Sequence, residues 1–544
     1  MSIEQTLSQY LPSHPKPQGV TFTYGTAGFR MKADKLDYVT FTVGIIASLR
    51  SKYLQGKTVG VMITASHNPP EDNGVKVVDP LGSMLESSWE KYATDLANAS
   101  PSPSNDSEGE KNLLVEVIKN LVSDLKIDLS IPANVVIARD SRESSPALSM
   151  ATIDGFQSVP STKYQDFGLF TTPELHYVTR TLNDPDFGKP TEDGYYSKLA
   201  KSFQEIYTIC ESNNEKIDIT IDAANGVGAP KIQELLEKYL HKEISFTVVN
   251  GDYKQPNLLN FDCGADYVKT NQKLPKNVKP VNNKLYASFD GDADRLICYY
   301  QNNDNKFKLL DGDKLSTLFA LFLQQLFKQI DPTKISLNIG VVQTAYANGS
   351  STKYVEDVLK IPVRCTPTGV KHLHHEAENF DIGVYFEANG HGTVIFNPEA
   401  EKKIFNYKPN NDNEANAIKV LQNFSQLINQ TVGDAISDLL AVLIVVHYLK
   451  LSPSDWDNEY TDLPNKLVKV IVPDRSIFKT TNAERTLVEP KGMQDEIDKL
   501  VAQYPNGRSF VRASGTEDAV RVYAEADTQN NVEELSKAVS ELVK

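Results

Sequence analysis

The feature that most restricts the fold of this chain is a repeated order of apolar run, polar loop and helix-like stretch. Three of the apolar runs lie at 135–138, 217–221 and 335–342. Each has the composition of a buried strand, and each precedes turn residues and then helical periodicity. Because a helix joins one strand to the next, this order is typical of α/β layers with parallel or mixed sheets. The 544 residues exceed a single core, and about 150 residues per domain predicts three or four domains.

The C-terminal part follows a different order, because strand-like runs at 467–472 and 520–526 frame one or two helices. That order predicts a smaller α+β domain. The expected fold class is therefore α/β, with three α/β mixed-sheet domains followed by a smaller C-terminal α+β domain. We expect the four domains to cover residues 1–185, 186–298, 299–455 and 456–544.

The charge and the cysteines restrict the function and the location of the protein. A net charge of −15, from 56 basic and 71 acidic residues, argues against general nucleic-acid binding. Four scattered cysteines without metal-site spacing indicate reduced thiols, as in a cytoplasmic protein. The N-terminus has no signal-peptide features, and the longest apolar run, 439–446, is too short to span a membrane. We therefore expect a cytoplasmic location and no membrane partner.

The first polar loop with the chemistry of a site is Thr64-Ala65-Ser66-His67-Asn68-Pro69-Pro70, which follows the apolar run 59–63. Its two prolines prevent a helix, and ligands of α/β sheets bind at the carboxyl ends of strands. Ser66 is thus predicted at the tip of a stiff loop, where His67 and Lys76 could approach it. The same residues also favour a simple turn, so this loop alone leaves both interpretations open.

The second loop carries three acidic residues at alternate positions, Asp290, Asp292 and Asp294, directly after the apolar run 285–289. Without a cation, three carboxylates held together would repel one another strongly. Ligation by oxygen alone favours Mg²⁺. Arg295, and the lack of a glutamate at the twelfth position, exclude a calcium-binding EF-hand. The remaining alternative is an acidic turn exposed to solvent.

Two further loops suit a phosphorylated sugar. Glu387 and Asn389 follow a strand-like run and offer acceptors and donors for sugar hydroxyls, and the loop with Thr368 and Gly369 could complete that site. The last loop forms an anion cradle, because hydroxyls, a glycine and two guanidinium groups bind phosphate well. Its residues are Arg512, Ser514, Gly515, Thr516 and Arg521. The alternative for each is an ordinary polar turn.

Three other polar segments are predicted to be structural. The acidic pair in Asp311-Gly312-Asp313 precedes a helical run and is expected to cap it. His372, His374 and His375 lack the i, i+4 spacing of a helical zinc site, so we expect a partly exposed helix. The segment 222–228 resembles a phosphate loop only in one pair of glycines, and we interpret it as a structural turn.

In their order along the chain, the four loops resemble the motifs of the α-D-phosphohexomutase superfamily. Those motifs are a Thr-Ala-Ser-His-Asn-Pro serine loop, an Asp-Gly-Asp-x-Asp-Arg metal loop, a Glu-x-x-Gly sugar loop and an Arg-x-Ser-Gly-Thr-Glu phosphate loop. They stand here at 64–69, 290–295, 387–390 and 512–517. The resemblance therefore covers nearly the whole chain, and the ordered co-occurrence of four motifs makes coincidence negligible.

Within the superfamily, the segments 24–30, 71–82 and 343–350 resemble the eukaryotic enzymes that act on N-acetylglucosamine phosphates. In the sugar loop, Asn389 stands where the glucose and mannose enzymes have serine, which suits a different pattern of hydroxyl and N-acetyl groups. The resemblance implies four domains around one central cleft, each supplying one loop. It also implies interconversion of N-acetylglucosamine 6-phosphate and N-acetylglucosamine 1-phosphate, in UDP-N-acetylglucosamine biosynthesis.

The resemblance further implies the roles of the site residues. Ser66 would be carried as a phosphoserine, and a sugar 1,6-bisphosphate would be the intermediate. The Mg²⁺ ligands would be Ser66, Asp290, Asp292 and Asp294. The catalytic residues would be Ser66, His67, Lys76 and Arg30, with proton transfer left open between His67 and Lys76. The substrate contacts would be Thr368, Gly369, Glu387, Asn389, Arg512, Ser514, Gly515, Thr516 and Arg521.

Three rival functions remain. A phosphoglucomutase or phosphomannomutase would use the same chemistry with other hydroxyl contacts. A non-catalytic sugar-phosphate-binding protein would not need Ser66, the three aspartates and Arg512 to be intact. A phosphatase would need water in the closed site. We expect a small amino-sugar phosphate as the partner, no nucleic acid, and a monomer.

Overall fold

The structure is a computed structural model that describes residues 2–101, 113–210, 215–514 and 519–544. It divides into two compact units, which comprise Met1–Leu309 with Gln426–Ala441, and Leu310–Ser425 with Val442–Lys544. Among the helices in the described ranges, none combines the length and the hydropathy that a membrane crossing requires.

The first sheet of the first unit has five strands in the order β1-β3-β2-β4-β5. The strands are β1 (Phe29–Lys32), β2 (Thr58–Ile63), β3 (Asp72–Val78), β4 (Ala133–Arg139) and β5 (Thr162–Leu169). Strands β2, β4 and β5 are parallel, whereas β3 is antiparallel to β1 and β2. Its helices are α1 (Ile3–Tyr10), α2 (Asp37–Tyr53), α3 (Ser87–Asn98), α4 (Leu114–Asp124), α5 (Ser145–Gln157) and α6 (Thr172–Asn183).

Strand β2 is buried from Val59 to Ile63. Successive side chains of a strand point to opposite faces, so both faces of this sheet are covered there. Helices α2 and α6 both pack against β2. The loop that carries Ser66 therefore begins at the carboxyl end of a strand in the middle of the core.

The second sheet has the order β10-β9-β8-β6-β7. The strands are β6 (Ile217–Asp222), β7 (Ile244–Val249), β8 (Tyr286–Phe289), β9 (Leu296–Gln301) and β10 (Phe307–Leu310). Strands β6, β7 and β8 are parallel, and β9 is antiparallel to β8. The associated helices are α7 (Glu192–Tyr207), α8 (Gly228–Leu235) and α9 (Ala265–Asn271). All of β8 is buried, and Asp290 follows it directly.

The second unit contains a mixed sheet in the order β12-β11-β13-β14. The strands are β11 (Ile339–Thr344), β12 (Val363–Thr366), β13 (Ile382–Phe386) and β14 (Gly392–Phe396). Only β14 is antiparallel to its neighbour. The helices of this part are α10 (Gly312–Phe327), α11 (Gly349–Lys353), α12 (Val370–Ala377) and α13 (Pro398–Phe405). Two further helices, α14 (Asp412–Leu427) and α15 (Ala435–Leu449), are divided between the two units.

The C-terminal part has an antiparallel sheet in the order β15-β19-β18 and a separate hairpin, β16-β17. The strands are β15 (Asn465–Ile471), β16 (Lys479–Thr481), β17 (Thr486–Glu489), β18 (Arg508–Ala513) and β19 (Ala519–Glu525). The helices are α16 (Pro453–Asp457), α17 (Met493–Val501) and α18 (Gln529–Leu542). The core of this part joins apolar residues of the sheet to Leu535 and Val539 of α18.

Single turns of other helix types complete the described structure. The 3-10 turns are Leu11–Ser13, Ala33–Lys35, Pro256–Leu258 and Arg475–Ile477, and the π-helical turns are Leu236–Leu240 and Tyr354–Val358.

The expected fold class is confirmed, because three mixed sheets with helices precede a smaller antiparallel α+β part. The strand predicted at 335–342 was wrong in its first four residues. Strand β11 begins only at Ile339, which is the residue paired with Ile382, the first residue of β13. The exact domain boundaries stay a prediction.

The capping role predicted for Asp311 is confirmed, since its side chain accepts a hydrogen bond from Asp313 N at the start of α10.

Helix α6 begins with a capping box. Thr171 Oγ1 accepts from Glu174 N, and Glu174 Oε2 accepts from Thr171 N at 2.8 Å. The Glu174 side chain is fully buried, and burial raises the pKa of its carboxyl to about 7. The folded chain thus favours the protonated carboxyl at the start of this helix.

The folded protein should lose stability as the pH rises through the range in which Glu174 titrates. The ordinary pKa of this carboxyl is 4.5 and the folded value is about 7, so the folded chain keeps a proton that the unfolded chain releases first. The stabilisation is complete below the lower value and is lost as the pH rises through the higher one. Glu174→Gln cannot ionise, so at about pH 8 it should be more stable than the wild type by on the order of 2–3 kcal/mol.

Thermal unfolding at about pH 5 and about pH 8 measures this difference. The control is Glu533→Gln, which changes an exposed carboxylate paired with Lys466. An equal shift of melting temperature at both pH values, or the same shift in the control, would contradict the assignment to Glu174.

Candidate functional site

Ser66 lies just beyond β2 in a left-handed backbone conformation, with φ of 53°. Few residues other than glycine adopt this conformation, and in native structures it occurs where the surroundings hold it in place. The residue is fully buried. Its hydroxyl donates a hydrogen bond to Asp290 Oδ2 at 2.6 Å and lies 3.4 Å from Asp294 Oδ1. The predicted serine loop and the predicted metal loop therefore meet at one hydroxyl group.

The metal loop closes on itself through its first carboxyl. Asp290 Oδ1 accepts hydrogen bonds from Asp294 N at 3.0 Å and from Arg295 N at 3.2 Å. Ala293 takes a positive φ of 57°, which turns the chain sharply enough for the alternate side chains to converge. Thr172, at the start of α6, fixes the middle aspartate. Its Oγ1 donates to Asp292 Oδ2 at 2.6 Å, and its backbone N donates to Asp292 O.

The three carboxyl groups form the one group of possible metal ligands found among the described residues, with one oxygen of each lying within 4.8 Å of the others. All three side chains are buried. Burial and the neighbouring charges of Asp294 and Asp292 raise the pKa of Asp290 well above its usual range. Asp292 Oδ1 is buried and has no hydrogen-bond partner in the described part of the chain. Such a set of oxygen ligands fits Mg²⁺.

Positively charged side chains surround the three carboxyl groups of Asp290, Asp292 and Asp294. Lys76, on β3, places its Nζ 3.4 Å from both Asp292 Oδ2 and Asp294 Oδ2. Arg295 Nε lies 3.8 Å from Asp290 Oδ2. Burial and the charge of Arg295 lower the pKa of Arg30, against the attraction of the three aspartates. The structure thus brings Ser66, Lys76, Arg30 and the aspartates into one electrostatic group.

His67 belongs to the same group. Burial, together with the charges of Arg295 and Arg30, lowers the pKa of His67 to about 2. The imidazole is therefore neutral at physiological pH. Its Nδ1 is buried and has no hydrogen-bond partner among the residues that the structure describes.

The predicted sugar loop, in the second unit, follows β13 directly. Asn389 Nδ2 donates to Glu387 Oε2 at 3.3 Å, and His391 N donates to Asn389 Oδ1 at 3.0 Å. Glu387 N donates to His391 O, which closes the turn. Glu387 and Asn389 thus form one hydrogen-bonded pair of polar side chains, and their contact with the sugar stays a prediction.

Thr368 and Arg512, predicted to contact sugar and phosphate, share one acceptor that sequence reasoning missed. Glu484 Oε2 accepts from Thr368 N at 2.9 Å, from Thr368 Oγ1 at 2.6 Å and from Arg512 Nη1 at 3.1 Å. Glu484 is the third of three successive residues with positive φ, at 54°, 55° and 66°, in the turn of the β16-β17 hairpin. The sequence Asn-Ala-Glu gives no signal of this conformation, because only the asparagine commonly adopts it.

Positive charge gathers on the C-terminal sheet. Arg512 of β18 pairs in register with Arg521 of β19, and Arg521 pairs with Lys469 of β15. Residues in register point to the same face, where like charges are unfavourable unless an anion lies nearby. Arg475 Nη1 donates to Ser514 O at 3.0 Å. Gly369 has a φ of 124° just before α12. Gly515 and Thr516 lie outside the described residues.

The segments predicted to be structural have the following contacts, and the helix predicted for the histidine cluster is confirmed as α12. Asp222 Oδ2 accepts from Ser288 Oγ and from Gly264 N inside the second sheet. Val227 N donates to Gly291 O, so the segment 222–228 contacts the metal loop and supports it. His374 Nδ1 contacts the hydroxyl of Tyr385 at 2.9 Å. His372 and His375 are exposed on α12, and no histidine joins the metal-ligand group found among the described residues.

Family models match four consecutive parts of the chain. The model of the α/β/α domain I of phosphoglucomutase/phosphomannomutase matches 26–102 and 105–188, and the model of their C-terminal domain matches 467–542. The models of phosphoacetylglucosamine mutase AMG1, domain II and domain III, match 187–297 and 311–451.

Known proteins resemble the chain over its full length. It is 99% identical to the phosphoacetylglucosamine mutase of Candida albicans, with 100% of both chains covered. It is 52% identical to that of Saccharomyces cerevisiae, with 97% of both covered. A crystal structure of N-acetylglucosamine-phosphate mutase in its product complex has a TM-score of 0.97 at 98% identity, covering 100% of both chains. The Aspergillus fumigatus enzyme in complex with GlcNAc-6P and magnesium has 0.92 at 47% identity, with 100% and 99% covered.

The chain has three mixed-sheet domains and a smaller C-terminal domain, and its serine hydroxyl lies beside three carboxyl groups. Together with the matches above, these features define an α-D-phosphohexomutase. The sequence identity to the enzymes above then decides to which branch of that superfamily the chain belongs. The chain belongs to the phosphoacetylglucosamine mutase family.

Asp292→Asn should weaken Mg²⁺ binding by roughly tenfold or more, because it removes one of three charges and the carboxylate oxygen that lacks a hydrogen bond. Isothermal titration calorimetry with MgCl₂ measures the affinity. The matched control is Asp311→Asn, in the other Asp-Gly-Asp segment, where asparagine caps a helix as well as aspartate does. Unchanged affinity in Asp292→Asn, or an equal loss in the control, would show that the metal binds elsewhere.

Proposed function

We propose that the chain interconverts N-acetylglucosamine 6-phosphate and N-acetylglucosamine 1-phosphate, with Ser66 as the carrier of the phosphoryl group. The observation that carries this proposal is the 2.6 Å hydrogen bond from the Ser66 hydroxyl to Asp290, inside a group of three buried carboxyls. The names of the family relatives agree with this reaction. A structure of a serine-to-alanine variant of the Aspergillus fumigatus enzyme, in complex with glucose 1,6-bisphosphate, supports a bisphosphate intermediate.

The reaction consists of two phosphoryl transfers. In the first, the bond from phosphorus to Ser66 Oγ breaks, and a bond forms to the free hydroxyl oxygen of the substrate. The sugar hydroxyl gives up its proton, Ser66 Oγ takes up a proton as its bond to phosphorus breaks, and the product is a sugar 1,6-bisphosphate. After the bisphosphate turns round, its other phosphoryl group is transferred to Ser66 Oγ, which gives up its proton, and the sugar oxygen released takes up a proton. The net change moves a phosphate between the two carbons, and Ser66 is phosphorylated again.

The negative charge of the phosphoryl group must be neutralised in the transition state. Asp290, Asp292 and Asp294 would hold Mg²⁺ together with a phosphate oxygen on Ser66, and the bound ion supplies positive charge to the phosphoryl oxygens. Lys76 and Arg30 add positive charge from the chain itself. Lys76 is also held in place by its contacts with Asp292 and Asp294.

The proton of the sugar hydroxyl must pass to a base. The candidate bases are His67, next to Ser66 in the chain, and Lys76, which contacts Asp292 and Asp294. Burial and the neighbouring arginines lower the pKa of His67, which makes its imidazole a weak base. Proton transfer stays open between His67 and Lys76.

Residues of other loops are proposed to bind the rest of the substrate. Glu387, Asn389, Thr368 and Gly369 would contact the sugar in either orientation, because both half-reactions use the same site. The non-reacting phosphate would be bound by Arg512, Ser514, Gly515, Thr516 and Arg521. The in-register pair Arg512 and Arg521 supports this assignment.

We further propose four domains, at 1–185, 186–298, 299–455 and 456–544, that each supply one of these loops. The product, a sugar 1-phosphate, would serve UDP-N-acetylglucosamine biosynthesis in the cytoplasm. The four cysteines, all within the described residues, form no disulfide bond, which suits a reducing compartment.

Ser66→Ala should lose the mutase activity by at least about 10³-fold, because no other hydroxyl can replace the phosphoryl carrier. A coupled assay of N-acetylglucosamine 1-phosphate, with the bisphosphate present, measures the rate. The same assay with glucose 6-phosphate tests the substrate. Full activity in Ser66→Ala would overturn the phosphoserine assignment, and a strong preference for glucose 6-phosphate would identify a phosphoglucomutase instead.

Glu484→Ala should raise the KM for the sugar phosphate by roughly tenfold, because Arg512 and Thr368 lose the acceptor that orients both. Steady-state kinetics with N-acetylglucosamine 6-phosphate measures this. The control is Glu489→Ala in the same hairpin, where the carboxylate pairs with exposed Lys479. A lower KM in Glu484→Ala would show that the carboxylate competes with the substrate phosphate for Arg512.

A further inference from the structure

We propose that Arg142 and Asn260 are positioning residues for phosphoryl transfer, which act through the backbone carbonyl of Ser66. This inference rests on the proposed role of Ser66 as phosphoryl carrier. Neither residue contacts the Ser66 hydroxyl, and neither belongs to the four motif loops. Both instead determine where that hydroxyl points.

The Ser66 carbonyl oxygen accepts two hydrogen bonds. Arg142 Nη2 donates to it at 2.9 Å and Asn260 Nδ2 donates at 3.0 Å. A carbonyl oxygen has two lone pairs, so both are used. The left-handed backbone of Ser66 is unfavourable for a residue with a Cβ atom. Because the carbonyl and the Cβ belong to the same residue, fixing the carbonyl in this conformation also fixes the direction of the side chain.

Arg142 binds the whole serine loop with one guanidinium group. Besides Ser66 O, its Nη2 donates to Asn68 O at 2.9 Å, and its Nη1 donates to Pro69 O at 2.6 Å and to Asp72 O at 2.9 Å. The side chain is completely buried and its charge is paired with Asp140, since Nε donates to Asp140 Oδ2 at 3.0 Å. Only a planar fork of donors reaches four carbonyl groups in this way, and a lysine cannot replace it.

Asp140 extends this network to the other side of Ser66. Thr64 Oγ1 donates to Asp140 Oδ2 at 2.8 Å and accepts from Ser66 N at 3.0 Å. Ser145 Oγ donates to Asp140 Oδ1 at 2.7 Å. The N–H and the C=O of Ser66 are thus both tied to the ion pair of Arg142 and Asp140.

Asn260 approaches from a turn between β7 and α9 of the same unit. Its own backbone has a φ of 57°, and its N donates to Ala224 O at 2.9 Å. The carbonyl of Ser66 also touches the metal loop, since a Cβ added to Gly291 would lie 2.6 Å from Ser66 O and 3.1 Å from Asn260 Nδ2. Asn260, Gly291 and the Ser66 carbonyl are therefore packed together, and a shift of the carbonyl changes the distance between Ser66 Oγ and the aspartates.

A positioning role affects the rate of the chemical step more than substrate binding. A misplacement of about 1 Å at a reacting group can cost about 10²-fold in rate. The substrate contacts lie in other loops, so the KM for the sugar phosphate should change little. A defect of general folding would instead lower the amount of active enzyme and the melting temperature.

Asn260→Gly gives the cleanest test, because glycine accepts the positive φ and the variant loses the amide side chain that donates to Ser66 O and to Asn68 O. We expect kcat and the single-turnover rate of transfer from phosphorylated Ser66 to fall by roughly 10- to 100-fold, with KM within about twofold of the wild type. Asn260→Asp, which turns a carboxylate towards the Ser66 carbonyl, should be at least as slow. The matched control is Asn277→Gly, because Asn277 also has a positive φ, of 69°, and its amide donates to Asn250.

Arg142→Lys should show the same fall in kcat. Its control is Arg139→Lys, because Arg139 is the last residue of β4, just before the loop of Arg142, and pairs with Asp166. Asn260→Gly decides the matter alone if Arg142→Lys does not fold. A wild-type kcat in folded Asn260→Gly, a loss confined to KM, or an equal loss in Asn277→Gly would overturn the inference. Failure of the proposed function is a separate result, since it would appear as full activity in Ser66→Ala.

Discussion

Three carboxyl groups, those of Asp290, Asp292 and Asp294, share one buried space, and like charges at this distance repel strongly where the dielectric constant is low. Much of the first unit counteracts that repulsion. Lys76 and Arg295 place positive charge beside the group, and Thr172 donates to it from the start of a helix. A divalent cation would complete the balance, and Ser66 stands where its hydroxyl contacts both the first and the last aspartate.

Local sequence patterns predicted much of this site. Apolar runs that end in polar loops located β2, β8 and β13, and the residue types in those loops pointed to metal, sugar and phosphate chemistry. Thr172, Asn260 and Glu484 were missed, because each acts on a residue more than a hundred positions away. Arg142 did leave a signal, a polar loop at the carboxyl end of β4. Its function depends on four carbonyl groups of another loop, which no local pattern reveals.

The polar groups of the two units, each taken by itself, differ in character. The first concentrates buried and tightly bonded groups around one hydroxyl, which suits a step that requires fixed distances. The second carries polar pairs and arginines on loops and on an antiparallel sheet, where Glu484 joins the predicted sugar and phosphate residues. A site that accepts one sugar in two orientations cannot be exactly complementary in shape to a single pose. It depends more on charged groups that bind the phosphate in either orientation.

Transfer of a labelled phosphoryl group from Ser66 tests the central claim most directly. Enzyme labelled with radioactive phosphate on Ser66 is mixed with unlabelled N-acetylglucosamine 6-phosphate, and the reaction is quenched at short times. We predict that the label appears in the sugar bisphosphate at a rate no slower than turnover, and that Ser66 is then phosphorylated again from the other position. Label that remains on the protein during turnover, or that leaves as inorganic phosphate, would contradict this account.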